Sequence, residues 1–419
     1  MDNPRPALIL TRMTPAQILI VGGSLNGATL ALALAQAGIP VTVIDGLKDT
    51  EQTQPGFDGR SYALALASVR MLTALGLWPQ LADDAQAILD VKVSDGHAGR
   101  GPSPFVMHFD HAEIEEGPLG HMVEDRHLRR VLLAALADTV GITHVTGKQV
   151  IQQEIGSGRA IVTLNDGQVL DGHLLVGADG RRGKTGPRAG LQRRVTDYGQ
   201  TALVCALSHE RPHNGCAHQF FMPEGPLAIL PLKGNRSSIV WTERHDRATA
   251  IQALDDATYL QVLRPRFGDF LGALDLAGDR YCYPLNLVLS EGVIAERVAL
   301  VGDAARGVHP IAGQGLNAGL RDVAALSEVL ATAARRGEDI GRRDVLERYR
   351  QWRRFDTASL ALATDTFNRL FSNDNPLLRF GRDIGMGMVN AVPRLRRSFI
   401  REAAGLNGDL PLLLRGKPL

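Results

Sequence analysis

The chain has 419 residues, and its 46 lysines and arginines almost balance its 45 aspartates and glutamates, so the net charge at pH 7 is close to zero. This balance excludes a global basic field for nucleic acid, and 44% hydrophobic residues suffice for a large core and two domains. No apolar run reaches the roughly 20 residues that cross a bilayer, and Cys205, Cys216 and Cys282 predict neither a metal site nor a disulfide framework. We therefore expect a cytoplasmic protein, with a short disordered arm over residues 1–16.

The first ordered segment has a β-α-β pattern. The apolar run Gln17–Val21 predicts a buried strand, Ala28–Ala37 predicts a helix, and Val41–Ile44 predicts a second strand that ends in Asp45. The connection between the first strand and the helix reads G-G-S-L-N-G over residues 22–27. In this pattern the helix N-terminus meets a pyrophosphate, and the terminal acid accepts hydrogen bonds from a ribose.

The glycine-rich turn departs from G-x-G-x-x-G at one position. Gly22, Gly23 and Gly27 are present, but Ser24 occupies the middle position, where the chain approaches a pyrophosphate closely. The serine hydroxyl either donates a hydrogen bond to phosphate, or its Cβ pushes the dinucleotide outward. The glycine-rich turn alone is weak evidence for a nucleotide site. The complete order of strand, turn, helix, strand and acid makes this evidence stronger.

Two arginines stand beside predicted helices. Arg60 follows a polar loop and precedes an apolar-periodic segment that ends near Gly76, so it is predicted to lie at a helix start, where a cation is unfavourable unless it binds an anion. Arg126 precedes the predicted helix Leu128–Ala137. A solvated loop arginine is the alternative for Arg60.

A third polar turn follows the predicted strand Leu174–Val176. Asp179 and Gly180 are succeeded by Arg181, Arg182 and Lys184. An Asp-Gly turn after a buried strand is common. Three cations directly after it favour a phosphate-bearing ligand.

The middle of the chain changes to β-rich runs between residues 200 and 241, which predicts an antiparallel sheet forming one wall of a substrate pocket. Phe221, Leu230 and Trp241 are candidate substrate-binding residues, although alternate strand positions are more often plain core. Helical patterns resume between Thr249 and Phe270.

The segment V-A-L-V-G-D-A-A-R-G-V-H-P-I-A-G-Q-G-L-N-A-G-L-R-D, residues 298–322, predicts a buried strand, a Gly302-Asp303 turn and a helix from about Leu316. The first amides of a helix have no intrahelical partner and suit an anionic or electron-rich ligand. Gly313 and Gly315 leave this backbone accessible to a flat ligand, and Asp303 can hold hydroxyls. A flavin meets both requirements, and an ordinary strand-to-helix connection is the alternative.

Four landmarks occur in an order that resembles the single-component flavin monooxygenases, which include p-hydroxybenzoate hydroxylase: the glycine-rich turn with Asp45, Asp58-Gly59-Arg60, Ala178-Asp179-Gly180 and Gly302-Asp303. Finer details resemble the ubiquinone-biosynthesis hydroxylases within that family, over nearly the whole chain after Gln17. They are H-P-I-A-G-Q-G-L-N-A-G-L-R-D over residues 309–322, P-E-G-P-L-A-I-L-P-L over 223–232, and G-L-N-G-D-L-P-L-L-L-R-G over 405–416. Gly183 departs from the serine expected after the paired arginines.

The resemblance implies an FAD site and NAD(P)H as co-substrate, without a separate nicotinamide domain. It implies catalytic roles for His309, Pro310 and Gly315, with His309 as a proton relay or a packing residue. The implied cofactor-binding residues are Gly22, Gly23, Ser24, Gly27, Asp45, Arg60, Arg126, Asp179, Gly180, Asp303, Gly313, Gln314, Gly315, Leu316 and Asn317.

The implied reaction is hydroxylation of a polyprenylated phenol or benzoquinol ring through a flavin 4a-hydroperoxide. Two alternatives stay open: a flavin enzyme that reduces or dehydrogenates prenyl lipids, and a non-catalytic flavoprotein scaffold. The basic amphipathic segment Val392–Ala404 either contacts the inner membrane or a partner protein, or is a solvated helix face. A homodimer is also left open.

The expected fold class is α/β: a Rossmann-like FAD-binding domain with an inserted antiparallel substrate domain and a helical C-terminal region. The FAD-binding domain is expected over residues 17–90, 118–190 and 286–345. The substrate domain is expected over 91–117 and 191–285, and the helical region over 346–419.

Overall fold

A computed structural model describes residues 17–48, 51, 56, 59–97, 101–307, 314–354 and 392–419, with the backbone alone at 101–105 and 314. The arm predicted over 1–16 and the predicted site residues His309, Pro310 and Gly313 lie outside these ranges. Within the described ranges, no helix combines the length and apolarity that a bilayer crossing requires.

A six-stranded sheet carries the nucleotide-binding pattern. Its strand order is β19-β20-β12-β1-β2-β8, and all neighbours are parallel except β19 and β20. Its strands are β1 (Ile18–Val21), β2 (Val41–Ile44), β8 (Ile142–Val145), β12 (Leu174–Gly177), β19 (Ile294–Ala295) and β20 (Val298–Leu300).

Helices cover the six-stranded sheet and bury its apolar side chains. Helix α1 is almost wholly apolar because it packs between the sheet and two other helices, α3 and α7, and its Leu30 and Leu34 are fully buried. The helices of this part are α1 (Leu25–Gln36), α2 (Leu66–Ala74), α3 (Asp125–Asp138), α4 (Thr185–Arg188), α7 (Gln314–Arg335) and α8 (343–354).

The second large sheet is mainly antiparallel, as the β-rich runs predicted. Its order is β21-β18-β13-β16-β15-β14-β5-β6, with β17 also paired to β13, and only β14 and β5 are parallel. Its strands are β5 (Asp90–His97), β6 (Gly101–Asp110), β13 (Arg193–His209), β14 (Cys216–Met222), β15 (Gly225–Leu232), β16 (Arg236–Arg244), β17 (Leu274–Leu276), β18 (Tyr281–Ser290) and β21 (Arg306–Gly307).

One face of this antiparallel sheet is covered by helices α5 (His245–Gln252) and α6 (Asp256–Phe267), which explains the predicted helical pattern after Thr249. Two three-stranded sheets complete the described part of the chain. They contain β3 (Ser61–Ala65), β4 (Gln86–Ile88), β7 (Gly120–Glu124), β9 (Val150–Ile155), β10 (Ala160–Leu164) and β11 (Val169–Gly172).

The C-terminal segment packs back onto the nucleotide-binding part. Helix α9 (Pro393–Ala403) is followed by an irregular tail, and the Arg321 side chain of α7 donates hydrogen bonds to the carbonyls of Gly405 and Asn407. The Trp352 indole donates to the carbonyl of Asp409, 3.0 Å away. These contacts tie the tail to α7 and α8.

The structure corrects the prediction for Arg60. It precedes strand β3, not a helix, because β3 pairs with β7 at the register Ser61 to Glu124. Helix α7 begins at Gln314, two residues before the predicted Leu316, and α3 begins at Asp125, three residues before Leu128. The fold class itself, α/β with an antiparallel second sheet, is confirmed.

A buried carboxylate on α7 joins this helix to the Gly302 turn. Asp322 has no exposed surface, and its Oδ1 lies 2.6 Å from an Arg306 guanidinium nitrogen and 2.7 Å from Nε of Arg353. Its Oδ2 accepts a hydrogen bond from the amide of Gly302 at 3.1 Å. A buried charge is tolerable only when it is paired and hydrogen-bonded in this way.

We expect Asp322→Ala to lower the free energy of unfolding by about 3–5 kcal/mol, because it leaves two buried guanidinium groups without their carboxylate. Asp344→Ala is the matched control, since its ion pair with Arg342 is exposed and should contribute little. Urea unfolding measures both variants. Equal losses of stability in the two variants would show that the buried ion pairs of Asp322 contribute no more than the exposed ion pair of Asp344.

Candidate functional site

Polar turns that follow four neighbouring strands come together at one edge of the six-stranded sheet. The turns at Gly22, Asp45, Asp179 and Asp303 directly follow β1, β2, β12 and β20. These strands are parallel and adjacent, so their carboxyl ends lie at the same edge. In open α/β sheets this edge is where ligands bind.

The glycine-rich turn is tight and needs its glycines. Gly22 has a φ of +101°, and a Cβ there would lie 2.5 Å from the carbonyl oxygen of Ala178 on the neighbouring strand connection. A Cβ at Gly27 would overlap the carbonyl oxygen of Gly22. The backbone of the turn and the start of α1 therefore lie in direct contact.

Ser24 fits this turn without strain. It is the N-cap residue of α1, with a φ of −72°, its side chain is exposed, and its hydroxyl makes no capping hydrogen bond. The first amides of α1 therefore remain available to an anion. The serine adds a hydroxyl at the position where the pattern has a glycine.

Asp45 is buried and shapes the turn. Its Oδ2 accepts a hydrogen bond from the Gly23 amide at 2.7 Å, and its Oδ1 accepts one from the Leu47 amide at 2.8 Å. Beside it, the Nε2 atom of His144 on β8 is buried without a hydrogen-bond partner in the described part of the chain, and it would lie 3.1 Å from a Cβ at Gly23. His144 was missed by the sequence reasoning, because a single histidine in a strand gives no recognisable signal.

Two buried carboxylates hold the predicted arginines. Glu124 pairs with Arg126 at 2.7 Å and, through its other oxygen, with Arg236 of β16 at 2.8 Å. Asp125 pairs with Arg60 at 3.1 Å and also with Arg129. Both acids were missed, although V-E-D-R places them next to Arg126 in the sequence.

Tyr62 lies beside this arrangement. Burial raises the pKa of the Tyr62 phenol well above its ordinary value, and the nearby negative charge of Asp125 raises it further. The phenol therefore stays protonated across the physiological pH range.

The Asp179 turn is held from within. Oδ2 of Asp179 accepts hydrogen bonds from the amide and the hydroxyl of Thr185, at 3.0 and 2.8 Å, whereas Oδ1 is buried and has no partner within the described ranges. A Cβ at Gly183 would overlap the Asp179 carboxyl group. The absent serine is thus a consequence of how closely this loop folds over Asp179.

Asp303 faces one of the three cations predicted to bind phosphate. Nε of Arg181 lies 3.0 Å from Oδ2 of Asp303, and both side chains are about one-third exposed. Gly307 leaves room for the Arg181 side chain, which a Cβ there would contact at 2.8 Å. The pair connects the turn after β12 with the turn after β20.

The start of α7 is fixed by two asparagines. The Asn317 side chain accepts from the Ala65 amide and the Ser68 hydroxyl and donates to the Ala63 carbonyl, at 2.8–2.9 Å. Asn26 of α1 fills the space above Gly302 and Gly319, and its Oδ1 is buried with no hydrogen-bond partner among the described residues. Because Asn317 is used for packing, the backbone amides of Gly315 and Leu316 are the better candidates for ligand contact.

The three candidate substrate-binding residues do not share one surface. Phe221 and Leu230 pack with Met122 and Ile400 on the face toward β7 and α9. Trp241 is 1% exposed on the opposite face, under α5 and α6, where its indole donates to Glu243 at 3.0 Å. Trp241 therefore cannot line one pocket together with Phe221 and Leu230. Side chains alternate between the two faces along each strand, and these residues lie on opposite faces.

The residues at this edge fit a dinucleotide with a flat ring. A helix N-terminus, an acid at the end of β2 and arginines held by buried acids suit its phosphates and ribose. Nε2 of His144 and Oδ1 of Asp179 are buried near this edge and have no hydrogen-bond partner among the residues that the structure describes.

Comparison with known proteins agrees with this geometry. The FAD binding domain family matches residues 15–361. The ubiquinone hydroxylase UbiL of Rhodospirillum rubrum is 44% identical over 407 residues, which cover 96% of this chain and 94% of that protein. The 3-demethoxyubiquinol 3-hydroxylase of Escherichia coli is 33% identical, with coverage of 94% and 99%.

Solved structures share the fold at low sequence identity. The p-nitrophenol 4-monooxygenase PnpA of Pseudomonas putida superposes with a TM-score of 0.77 at 19% identity, covering 94% of this chain and 98% of that one. PqsL of Pseudomonas aeruginosa, a probable FAD-dependent monooxygenase, gives a TM-score of 0.73 at 20% identity, covering 89% and 100%. These values show a common fold.

We expect Gly183→Ser to destabilise the protein by about 1–3 kcal/mol, because the added Cβ must displace Asp179 from Thr185. Gly158→Ser is the control, since a Cβ at Gly158 has open space and needs no unusual backbone conformation. Urea unfolding of the two variants in the absence of cofactor measures the difference. Wild-type stability of Gly183→Ser would contradict the packing described for this loop.

Proposed function

Because the chain belongs to the family of FAD-dependent monooxygenases that includes the ubiquinone-biosynthesis hydroxylases, we propose that it hydroxylates the ring of a polyprenylated phenol or benzoquinol intermediate. NAD(P)H is the proposed electron donor. The observation that carries the proposal is the alignment of four polar turns along one sheet edge in a chain 44% identical to a ubiquinone hydroxylase.

The proposed FAD site follows that edge. Gly22, Gly23, Ser24 and Gly27 lie by the pyrophosphate, and Asp45 lies by the adenosine ribose. Arg60 and Arg126 approach the phosphates and the ribityl chain while remaining oriented by Asp125 and Glu124. Asp303 accepts from the ribityl hydroxyls, and Asp179 and Gly180 contribute to the cofactor and the NAD(P)H contacts.

Bound FAD supplies the electron transfer and oxygen activation that the family resemblance implies. The protein contributes position and charge. The first amides of α7, those of Gln314, Gly315 and Leu316, are proposed to stabilise negative charge on the ring, because the first amides of a helix have no intrahelical partner. Gly313, which lies outside the described residues, stays part of the same proposed site. His309 is proposed as a proton relay and Pro310 as part of the wall on the oxygen side.

The proposed substrate surface is the face of the antiparallel sheet that carries Phe221 and Leu230. Its neighbours there include Met107, Phe109 and Met122, all apolar and buried. Apolar surroundings suit a polyprenylated ring better than charged ones, because binding removes the apolar area of the prenyl tail from water. The substrate is thus distinguished from a small hydrophilic phenol by its tail.

Helix α9 supports a peripheral membrane contact. Ile400 is fully buried, and Arg396 and Arg401 pair with Glu113 and Glu116, so this side holds the helix on the protein. The helix also exposes three apolar residues, Val392, Leu395 and Phe399. Arg394 and Arg397 are exposed too, and they form no ion pair with any described residue. Such a surface suits an anionic lipid headgroup region, from which a prenylated substrate would arrive.

The function is tested with purified protein and a deletion strain. We expect bound FAD that is bleached by NAD(P)H and reoxidised by oxygen with formation of a hydroxylated quinol. The deletion strain should accumulate the precursor that lacks this hydroxyl group, identified by mass spectrometry. Bleaching without oxygen incorporation would favour the prenyl-lipid reductase alternative, and a protein without FAD turnover would favour the scaffold.

We expect Asp303→Ala to weaken FAD binding by about tenfold to a hundredfold, because it removes a charged acceptor for the ribityl hydroxyls. Equilibrium dialysis of the apoprotein with FAD measures this effect without relying on turnover. Asp344→Ala serves as the exposed-acid control. Unchanged FAD affinity in Asp303→Ala would contradict the assignment of the Asp303 carboxylate to the ribityl hydroxyls.

The proposed membrane contact of α9 predicts that variants of its exposed residues bind lipid vesicles more weakly. Replacing Arg394 and Arg397 with glutamine should lower binding to phosphatidylglycerol vesicles about tenfold or more, at roughly 1 kcal/mol per basic residue. Leu395→Ser with Phe399→Ser should lower it too. The control replaces the exposed Arg335 and Arg336 with glutamine. If vesicle flotation decreases equally for both arginine pairs, α9 is not the membrane contact.

A further inference from the structure

The C-terminal tail, residues 404–416, starts where helix α9 ends and packs onto the nucleotide-binding part of the fold. Its run G-L-N-G-D-L-P-L-L-L-R-G is one of the patterns that carry the family resemblance, but the proposed site uses none of these residues. Gly405 has a φ of +74°, and its amide donates to the Glu402 carbonyl at 2.9 Å, which ends the helix. Leu413 and Leu414 are buried in the same core as α1 and α7, so the tail is firmly packed.

Helix α7 holds the start of the tail through Arg321. The Arg321 guanidinium donates hydrogen bonds to the carbonyls of Gly405 and Asn407, at 3.1 and 2.8 Å. Hydrogen bonds with one charged partner are stronger than neutral ones. Arg321 follows Asn317 by four residues on α7, so both side chains lie on the same face of the helix.

The junction of β3 and α2 contacts both α7 and the tail. The Asn317 side chain is hydrogen-bonded to this junction, as described above. The Ala67 amide of α2 donates to the carbonyl of Ala404 at 3.1 Å, and a Cβ at Gly405 would lie 3.2 Å from the Cβ of Ala67. Helix α7, the β3–α2 junction and the tail are therefore joined to one another in all three pairs.

These three pairwise contacts restrict where α7 can begin. Arg321 lies about two helical turns after Gln314, whose amide is proposed to face the flavin ring together with those of Gly315 and Leu316. Backbone amides stabilise charge on a ligand best when they are held in place before the ligand arrives. Loss of the Arg321 contact would let the first two turns of α7 move relative to β3 and the Gly302 turn. A displacement of about 1 Å is enough to weaken such an interaction.

We infer that the C-terminal tail is a positioning element of the proposed flavin site and that Arg321 is the positioning residue through which it acts. Neither contacts the ring, and both act by holding the first amides of α7 in place. Because those amides favour negative charge on the ring, the tail raises both the affinity for FAD and the midpoint potential of the bound flavin. The inference rests on the proposed function, since it requires a flavin at the start of α7.

Variants at Arg321 and Trp352 separate this role from a general loss of stability. Arg321→Met should weaken binding of oxidised FAD to the apoprotein about tenfold in equilibrium dialysis. Reduced FAD should lose about tenfold more, which lowers the midpoint potential by about 30 mV for a two-electron couple. Arg321→Lys keeps a charged donor and should restore most of both values. Trp352→Phe is the matched control, because it removes a tail hydrogen bond to Asp409 that lies on α8, and it should leave both values at those of the wild type.

Gly405→Ala tests the same contact from the side of the tail. Its Cβ crowds Ala67 and its positive φ is unfavourable for alanine, so it should lower FAD affinity and midpoint potential in the same direction. It keeps the test decisive if Arg321→Met does not fold.

Urea unfolding of every variant accompanies these measurements. Losses of FAD affinity that follow the losses of stability equally in Arg321→Met and Trp352→Phe would overturn the inference and leave the tail a structural element only. Wild-type affinity and midpoint potential in both Arg321→Met and Gly405→Ala would overturn it as well. A wild-type protein that does not bind FAD would instead contradict the proposed function, and the inference with it.

Discussion

Parallel pairing of four neighbouring strands is the constraint on which the site depends. In the register observed, Val21 lies opposite both Ile44 and Gly177, and Gly177 lies opposite Leu300, so the four strands end at one level. The groups that come next in each connection therefore meet at a single edge. These strands are buried on both faces, and a slip of one residue would exchange those faces, so the apolar core fixes the position of the polar site.

Local signals were enough to predict that edge. The β-α-β pattern, Asp45 and the Gly302 turn depend on residues adjacent in sequence, and the parallel sheet then brings them together. The environment of Arg60 depends instead on β7, about sixty residues later, and the prediction of a helix start at Arg60 was wrong for that reason. The predicted helix itself is present as α2, which ends at Ala74. No local pattern announces that Asn26 fills the space above Gly302, because this contact joins segments nearly three hundred residues apart. His309 and Pro310 stay predictions.

Buried acids explain how cations can be positioned before any anion arrives. Glu124 and Asp125 would be costly to bury alone, and their pairing with arginines offsets that cost. The same pairing orders the guanidinium groups, so less side-chain entropy is lost on binding a phosphate. Glu124 also pairs with Arg236 of the antiparallel sheet, so one carboxylate joins the proposed cofactor-binding Arg126 to the sheet that carries the proposed substrate surface.

The two faces of the antiparallel sheet have different surroundings, because helices cover only part of one face. Helices α5 and α6 pack over Trp241 and its apolar neighbours, and α6 ends at Phe267. The end of α6 and the residues after it form the wall of an open groove, and side chains of β5 and β14 line its floor. Apolar periodicity alone cannot distinguish a core position from the other face of the same sheet, since Phe220 and Phe221 are adjacent and alike in sequence but point to opposite faces. The tertiary placement of the covering helices decides which of these side chains become core.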